Sequence, residues 1–296
     1  MATVLCVGLA TLDFVFRLDA LPDRPRKYQA ETARMVGGGG AANAAVAIAR
    51  LGGAAILSAR IGDDPVGALI LADLAAEGVD TRHVRPRPDT GSAWSSVCID
   101  AAGERQIVNY RGSGPTPEIG WVDTHSELDA VLADTRAPEA ARAALNAARA
   151  RGLPGVLDGE APVAPDLLDA ASHVAFSMQG LSALMPECPL DEALATLASR
   201  HAIWAAVTDG AGGTWFTAPD GIAHAPAFPV EAVDTLGAGD VWHGAFALAL
   251  AEGQDEAAAV RFASAAAALK CTQPGGRAGA PDRAAVLRFL EARPTP

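Results

Sequence analysis

The amino-acid sequence predicts an α/β protein with a mostly parallel main sheet and a second, small β-sheet projecting from it. Three observations carry this expectation. Beyond residue 130, short apolar runs at 130–133, 155–158, 174–177 and 202–208 alternate with helix-like segments at 137–150, 165–171 and 190–199, the pattern of strands joined by crossover helices. Residues 4–9 form a short apolar run before a small-residue turn, as the first strand of a buried parallel sheet does. Segments 14–28 and 92–110 loosen into alternating strand-like stretches broken by turns such as Pro22-Asp23 and Ala102-Gly103, which suits a separate small sheet.

The remaining elements follow in order. Asp13 is expected just past the first strand, and ligands of open α/β sheets bind outside the carboxyl ends of strands. An alanine-rich helix over 41–51 follows four consecutive glycines, and a second over 69–77 ends at Gly78, a residue suited to a helix C-terminus. After 208 come a hairpin-like stretch over 213–228 and helices at 238–251, 256–270 and 283–292.

The chain has 296 residues, half of them hydrophobic, enough for one large α/β domain, or two small ones, with a substantial core; a single domain over 1–296 is expected. Its formal charge of -12 argues against nucleic acid or an anionic membrane as partner, since both need a basic face. Four cysteines lie far apart with no C-x-x-C pair, so neither a disulfide framework nor a zinc site is expected, and a reducing cytoplasm fits best. The apolar start lacks a basic flank and meets Asp13 early, unlike a signal peptide. No apolar run approaches the roughly 20 residues that span a bilayer.

The strongest chemical signal is Asp234-Thr235-Leu236-Gly237-Ala238-Gly239-Asp240, running directly into a helical pattern. Small residues at Gly237, Ala238 and Gly239 let backbone amides converge at a helix N-terminus, where unpaired donors and the helix dipole favour an anion. Asp240, inside the first turn, is placed to take the proton of an attacking hydroxyl while those amides steady a phosphoryl group. An ordinary capping turn with a first-turn acid is the alternative.

This segment resembles the C-terminal signature of the ribokinase-like (PfkB) carbohydrate kinases. Gly37-Gly38-Gly39-Gly40-Ala41-Ala42-Asn43 resembles that family's N-terminal G-G-x-x-x-N segment, and Val207-Thr208-Asp209-Gly210-Ala211-Gly212-Gly213 its T-x-G-x-x-G loop. The resemblance implies a three-layer α/β/α core with a mostly parallel sheet of roughly nine or ten strands and a β-sheet lid, its segments at about 13–34 and 90–112. It implies ATP as phosphoryl donor with Mg2+, Asp240 as base, and Gly237, Ala238 and Gly239 as anion hole. By the same likeness Asp13, Gly38, Gly39 and Asn43 hold sugar hydroxyls, Thr208, Gly210 and Gly213 contact the nucleotide, and the lid pairs across a homodimer. One departure is plain: where the family carries N-x-x-E, this chain has Ser177-Met178-Gln179-Gly180, so no protein ligand is assigned to the metal.

Within the family the chain is most similar to kinases of 6-deoxy-6-sulfofructose. The likeness lies in the tail from Ala268-Leu269-Lys270-Cys271 through Gly275-Gly276-Arg277-Ala278-Gly279, in Gly103-Glu104-Arg105, in Asn109-Tyr110, in Leu132-Ala133-Asp134 with Arg136, and in Leu157-Asp158-Gly159. It implies an anionic sugar whose sulfonate meets Lys27, Asn109 and Arg136, and phosphorylation of the C1 hydroxyl. Neutral sugars such as fructose or ribose, and fructose 6-phosphate, are the alternatives. His243 and Trp242 read as packing residues. A non-catalytic sugar or nucleotide sensor on the same fold has no need of Asp240. A dinucleotide-binding oxidoreductase is excluded by position, because residues 7–12 offer one glycine where a fingerprint needs three.

Overall fold

The computed structural model describes residues 1–293; the last three residues of the expected 1–296 domain lie outside the described residues. In chain order the elements are β1 (Thr3–Gly8), β2 (Thr11–Arg17), β3 (Thr32–Gly38), α1 (Gly40–Arg50), β4 (Ala54–Ala59), α2 (Pro65–Ala76), β5 (Ala93–Ile99) and β6 (Arg105–Tyr110). Then follow β7 (Ala130–Ala133), α3 (Pro138–Ala150), β8 (Gly155–Asp158), α4 (Pro165–Ala170), β9 (His173–Ser177), α5 (Met178–Leu184), α6 (Leu190–His201) and β10 (Trp204–Thr208). The chain closes with β11 (Thr214–Ala218), β12 (Gly221–Ala225), α7 (Ala238–Ala251), α8 (Glu256–Cys271) and α9 (Arg283–Glu291).

The main sheet has eight strands in the order β12-β11-β10-β9-β8-β7-β1-β4, fewer than the family resemblance implies. Its six strands from β4 to β10 are parallel, and the β11–β12 hairpin closes one edge antiparallel. Side chains of a strand alternate between faces, and β1 divides accordingly: Val4 and Cys6 join one apolar core with α1, α7 and α8, while Leu5 and Val7 join the other with α3, α4 and α6. This is the three-layer α/β/α arrangement.

Helix α2 begins four residues before the apolar pattern predicts. Asp64 caps it, accepting the Gly67 amide at 2.7 Å, and Pro65 takes the first helical position, where its missing N–H costs nothing. Strand β4 carries no periodic signal of its own and is unassigned from sequence.

Two helices fix the site. Helix α7 is buried over almost its whole length, with Trp242 and Phe246 stacked at 5.0 Å, so Trp242 is a packing residue. It runs against α1 so closely that a Cβ on Gly244 would lie 2.6 Å from the Ala44 carbonyl oxygen. Only glycine permits that approach, and it brings the N-termini of the two helices together.

The second sheet has the order β3-β2-β5-β6. Two residues separate β1 from β2, so Asp13 lies within this sheet rather than in a turn after the first strand. Its register places Asp13 beside Ser95 on β5, and Ser95 beside Asn109 on β6.

Candidate active site

A cleft of about 490 Å³ lies between the second sheet and the carboxyl ends of the main strands, lined by Asp13, Gly38, Gly39, Asn43, Gly237, Gly239 and Asp240 among others. The four-glycine run supplies its floor, since side chains there would fill the space beside three carboxylates. A Cβ on Gly40 would lie 3.4 Å from Asp134 Oδ2 and 3.6 Å from both Asp158 Oδ2 and Asp240 Oδ1.

Asp240 sits in the first turn of α7. Asn43 Nδ2 donates to its Oδ2 at 2.6 Å, while the Asn43 side-chain oxygen Oδ1, buried in the cleft wall, has no partner among the described residues. Burial, and secondarily the neighbouring charge of Asp158, pushes the Asp240 carboxyl up to about 6; the Asn43 hydrogen bond and His243 pull it part of the way back. Burial likewise raises Asp13, against a hydrogen bond from Ser95 and the nearby Arg277 guanidinium.

The turn before α7 is built on Gly237, whose φ of 76° lies in the left-handed region that only glycine adopts without strain. The helix has no side-chain cap. Of the three amides expected to converge, those of Gly237 and Gly239 have no protein acceptor among the described residues, and neither does that of Asp240. The Ala238 amide differs from expectation: it donates to the Thr235 carbonyl at 3.2 Å, because the left-handed Gly237 folds the chain back into a tight turn. The amides left without a protein acceptor in this turn are therefore those of Gly237, Gly239 and Asp240.

A second cavity of about 660 Å³ opens beside the first, lined by Thr208, Gly210, Gly213, Phe228, Trp242 and Cys271 among others, and shares Ser177, Thr208 and Gly239 with the cleft. It gathers the three residues expected at a nucleotide, and its walls are largely apolar.

The trio expected at an anionic group is not assembled in the cleft. Lys27 is exposed, and Asn109 donates to Ser95 Oγ at 3.2 Å on the second sheet. Arg136 pairs with Glu160 at 2.6 Å and lines a separate cavity of about 240 Å³ with Arg60 and Arg111. The reason for Arg136 is local: Glu160 and the Ala161 carbonyl lie within its reach.

Four residues at or beside the cleft were given no site role from sequence. Asp134 directly follows β7 and Asp158 ends β8, a signal that the strand-end rule would have caught. Asp134 is buried and accepts amides from Leu9, Ala41 and Arg136 at 2.8, 3.1 and 2.8 Å, tying β1, α1 and β7 together. Arg277 is 3% exposed, pairs with Asp73, and lines the cleft. His243 is buried beneath Asp240 with both ring nitrogens facing carbonyl oxygens. Among the described residues no group of three His, Cys, Asp or Glu side chains is placed to hold a metal ion.

Comparison with known proteins agrees with this geometry. Residues 1–283 match the pfkB family carbohydrate kinase model. The chain is 33% identical to the ribokinase of Bacillus subtilis (strain 168) over 298 residues, covering 98% of this chain and all of that one. It is 27% identical to a fructokinase of Vibrio alginolyticus, covering 86% and 91%. Its structure superposes on a protein of Agrobacterium tumefaciens provisionally named a ribokinase with a TM-score of 0.90 at 40% identity, covering 98% of each chain. For the Arabidopsis thaliana ribokinase complexed with ribose and ATP the TM-score is 0.88 at 27% identity, covering 98% and 99%. A glycine-floored cleft, a carboxylate in the first turn of a buried helix, and full-length likeness to sugar kinases converge: the chain belongs to the pfkB family of carbohydrate kinases, phosphotransferases that act on a sugar hydroxyl.

Proposed function

We propose that this chain transfers the γ-phosphoryl group of ATP to the C1 hydroxyl of 6-deoxy-6-sulfofructose, with Asp240 as the base. The observation that carries the chemistry is the Asn43–Asp240 hydrogen bond of 2.6 Å: it occupies Oδ2 and leaves Oδ1 to take the proton of a hydroxyl. With its carboxyl near 6, Asp240 is mostly ionised at neutral pH yet basic enough to accept that proton.

ATP lies in the larger cavity beside Thr208, Gly210 and Gly213, with its terminal phosphate where the two cavities meet at Gly239. The free amides of Gly237, Gly239 and Asp240 hold the phosphoryl oxygens in transit, a contribution of positioning and electrostatics. Asp13, Gly38, Gly39 and Asn43 hold the sugar, the unpartnered Asn43 oxygen accepting one of its hydroxyls. The second sheet acts as a lid that closes over the sugar and excludes water, a competing acceptor. Mg2+ would enter on the nucleotide's own oxygens and waters, a coordination it tolerates, and neutralise phosphate charge there.

The sulfonate reading rests on the family likeness and on the basic rim formed by Arg136, Arg60 and Arg111. Replacement of Glu160 by a sulfonate on Arg136 would bring that rim into the cleft. A second reading, a neutral sugar such as fructose or ribose, is favoured by Arg136 already being paired with Glu160 and by the ribokinase relatives. Turnover of sulfofructose, fructose, ribose and fructose 6-phosphate, followed by ADP release, separates them. A higher kcat/KM for fructose or ribose than for sulfofructose ends the first reading.

We also propose a homodimer through the second sheet. Its edge strands β3 and β6 carry exposed Met35, Ile107, Val108 and Tyr110, and exposed apolar edges are ordinarily covered. A monomer by light scattering overturns this.

A further inference from the structure

We propose that His243 is a positioning residue, held as a doubly protonated imidazolium, that pins the first turn of α7 to the main sheet and offsets the charge of Asp158 and Asp240. The argument begins with stereochemistry. His243 Nδ1 lies 2.8 Å from the Gly239 carbonyl oxygen, and Nε2 lies 3.1 Å from the Ala175 carbonyl oxygen of β9. A carbonyl oxygen only accepts, so each contact requires an N–H on the ring, and a neutral imidazole has one. The side chain is 5% exposed, so water does not substitute, and leaving one nitrogen facing a carbonyl lone pair to lone pair is costly.

Charge points the same way. The groups that face this ring are acidic: Asp158 Oδ1 at the end of β8 lies 3.6 Å from Nε2, Asp240 sits one helical turn away on α7, and Glu160 follows β8 in the same cleft wall. Trp242 contributes a neutral ring edge at 5.4 Å. Two carboxylates in one cleft repel, and a cation between them lowers that cost. Both carboxyls titrate lower for the presence of His243 than burial alone would set.

The consequence reaches the reaction through the peptide that joins the Gly239 carbonyl to the Asp240 amide, one of the three free donors. Holding that carbonyl from behind fixes the direction of the Asp240 N–H. This inference rests on the kinase reading of the family but not on which sugar is used.

Its primary test is nitrogen NMR of protein carrying 15N-labelled histidine, with the His243 signals identified by their loss in His243→Asn. Both ring nitrogens of His243 are expected to be protonated at pH 7.5. A single protonated nitrogen overturns the proposal in the unaltered protein. In parallel, His243→Asn is expected to lower kcat about tenfold with the KM of sugar and ATP within about twofold, His243→Phe about a hundredfold, in line with loss of oriented donors. The acidic limb of kcat/KM should move to higher pH in both, since removing a cation favours the protonated carboxyl of Asp240. Unmoved limbs, with kcat and KM changing together, would reduce His243 to a packing residue. A failed kinase reading would show as no turnover of any sugar by the parent chain, with the NMR result unaffected.

Discussion

Asn43 and Asp240, 197 residues apart in sequence, are joined by a hydrogen bond of 2.6 Å that ties the first turn of α1 to the first turn of α7. The contact sets which carboxylate oxygen remains available, and it depends on the close crossing of the two helices at Gly244.

Replacement of Asp240 by Asn should lower kcat by about 10²–10⁴-fold while sugar binding, measured by calorimetry, is retained. Retained turnover would remove Asp240 as the base.

The same substitution should raise stability at neutral pH. Burial raises the Asp240 carboxyl to about 6 in the folded chain, against about 3.9 for an unperturbed carboxyl, so folding favours its protonated form. That contribution is full below about pH 4 and is lost as pH rises through 6. The variant should therefore melt above the parent at pH 8, by on the order of 1–3 kcal/mol, and the gap should close near pH 4. Equal melting curves at both pH values would contradict the burial of this charge.

Asn43→Ala removes the hydrogen bond that favours the ionised form, so the acidic limb of kcat/KM, expected near pH 6, should shift upward. A rate profile measured from pH 5 to 9 reads the shift directly, and a downward displacement would contradict the assigned contact.

If Arg136 meets an anionic substituent, Arg136→Ala should lower kcat/KM for sulfofructose about 10- to 100-fold, the worth of a charge-assisted hydrogen bond, and leave fructose within about twofold. Equal losses for both sugars would make it structural.

Lys270 is fully buried and donates to the Asp234 carbonyl at 2.6 Å, with the Asp234 carboxylate 3.5 Å away. That carboxylate also receives the amides of Gly275 and Gly276, so the pair anchors both the turn before α7 and the loop carrying Arg277. Lys270→Met should cost about 1–3 kcal/mol by leaving the Asp234 carbonyl without its buried donor, read by urea unfolding. A loss below about 1 kcal/mol would show the pair to be dispensable.

Local pattern made most of the fold legible. Apolar runs and helix-length alternation located β7, β8, α7 and α6 within a residue or two, since both depend on neighbours in sequence. Helix α2 was placed late because its start is set by a cap at Asp64 rather than by apolar period. Strand β4, short and alanine-rich, carries no period that separates it from a turn.

The sequence by itself determined the α/β class, the family, and the two segments that supply Asn43 and Asp240, because each is encoded in short contiguous motifs. Tertiary structure alone decided the rest: that Asp134, Asp158 and Asp240 converge on Gly40, that Ala238 turns its amide inward, that Arg136 meets Glu160, and that His243 faces two carbonyls. Those relations join residues from separate strands and helices, and their distances follow from packing across the sheet, which no local pattern records.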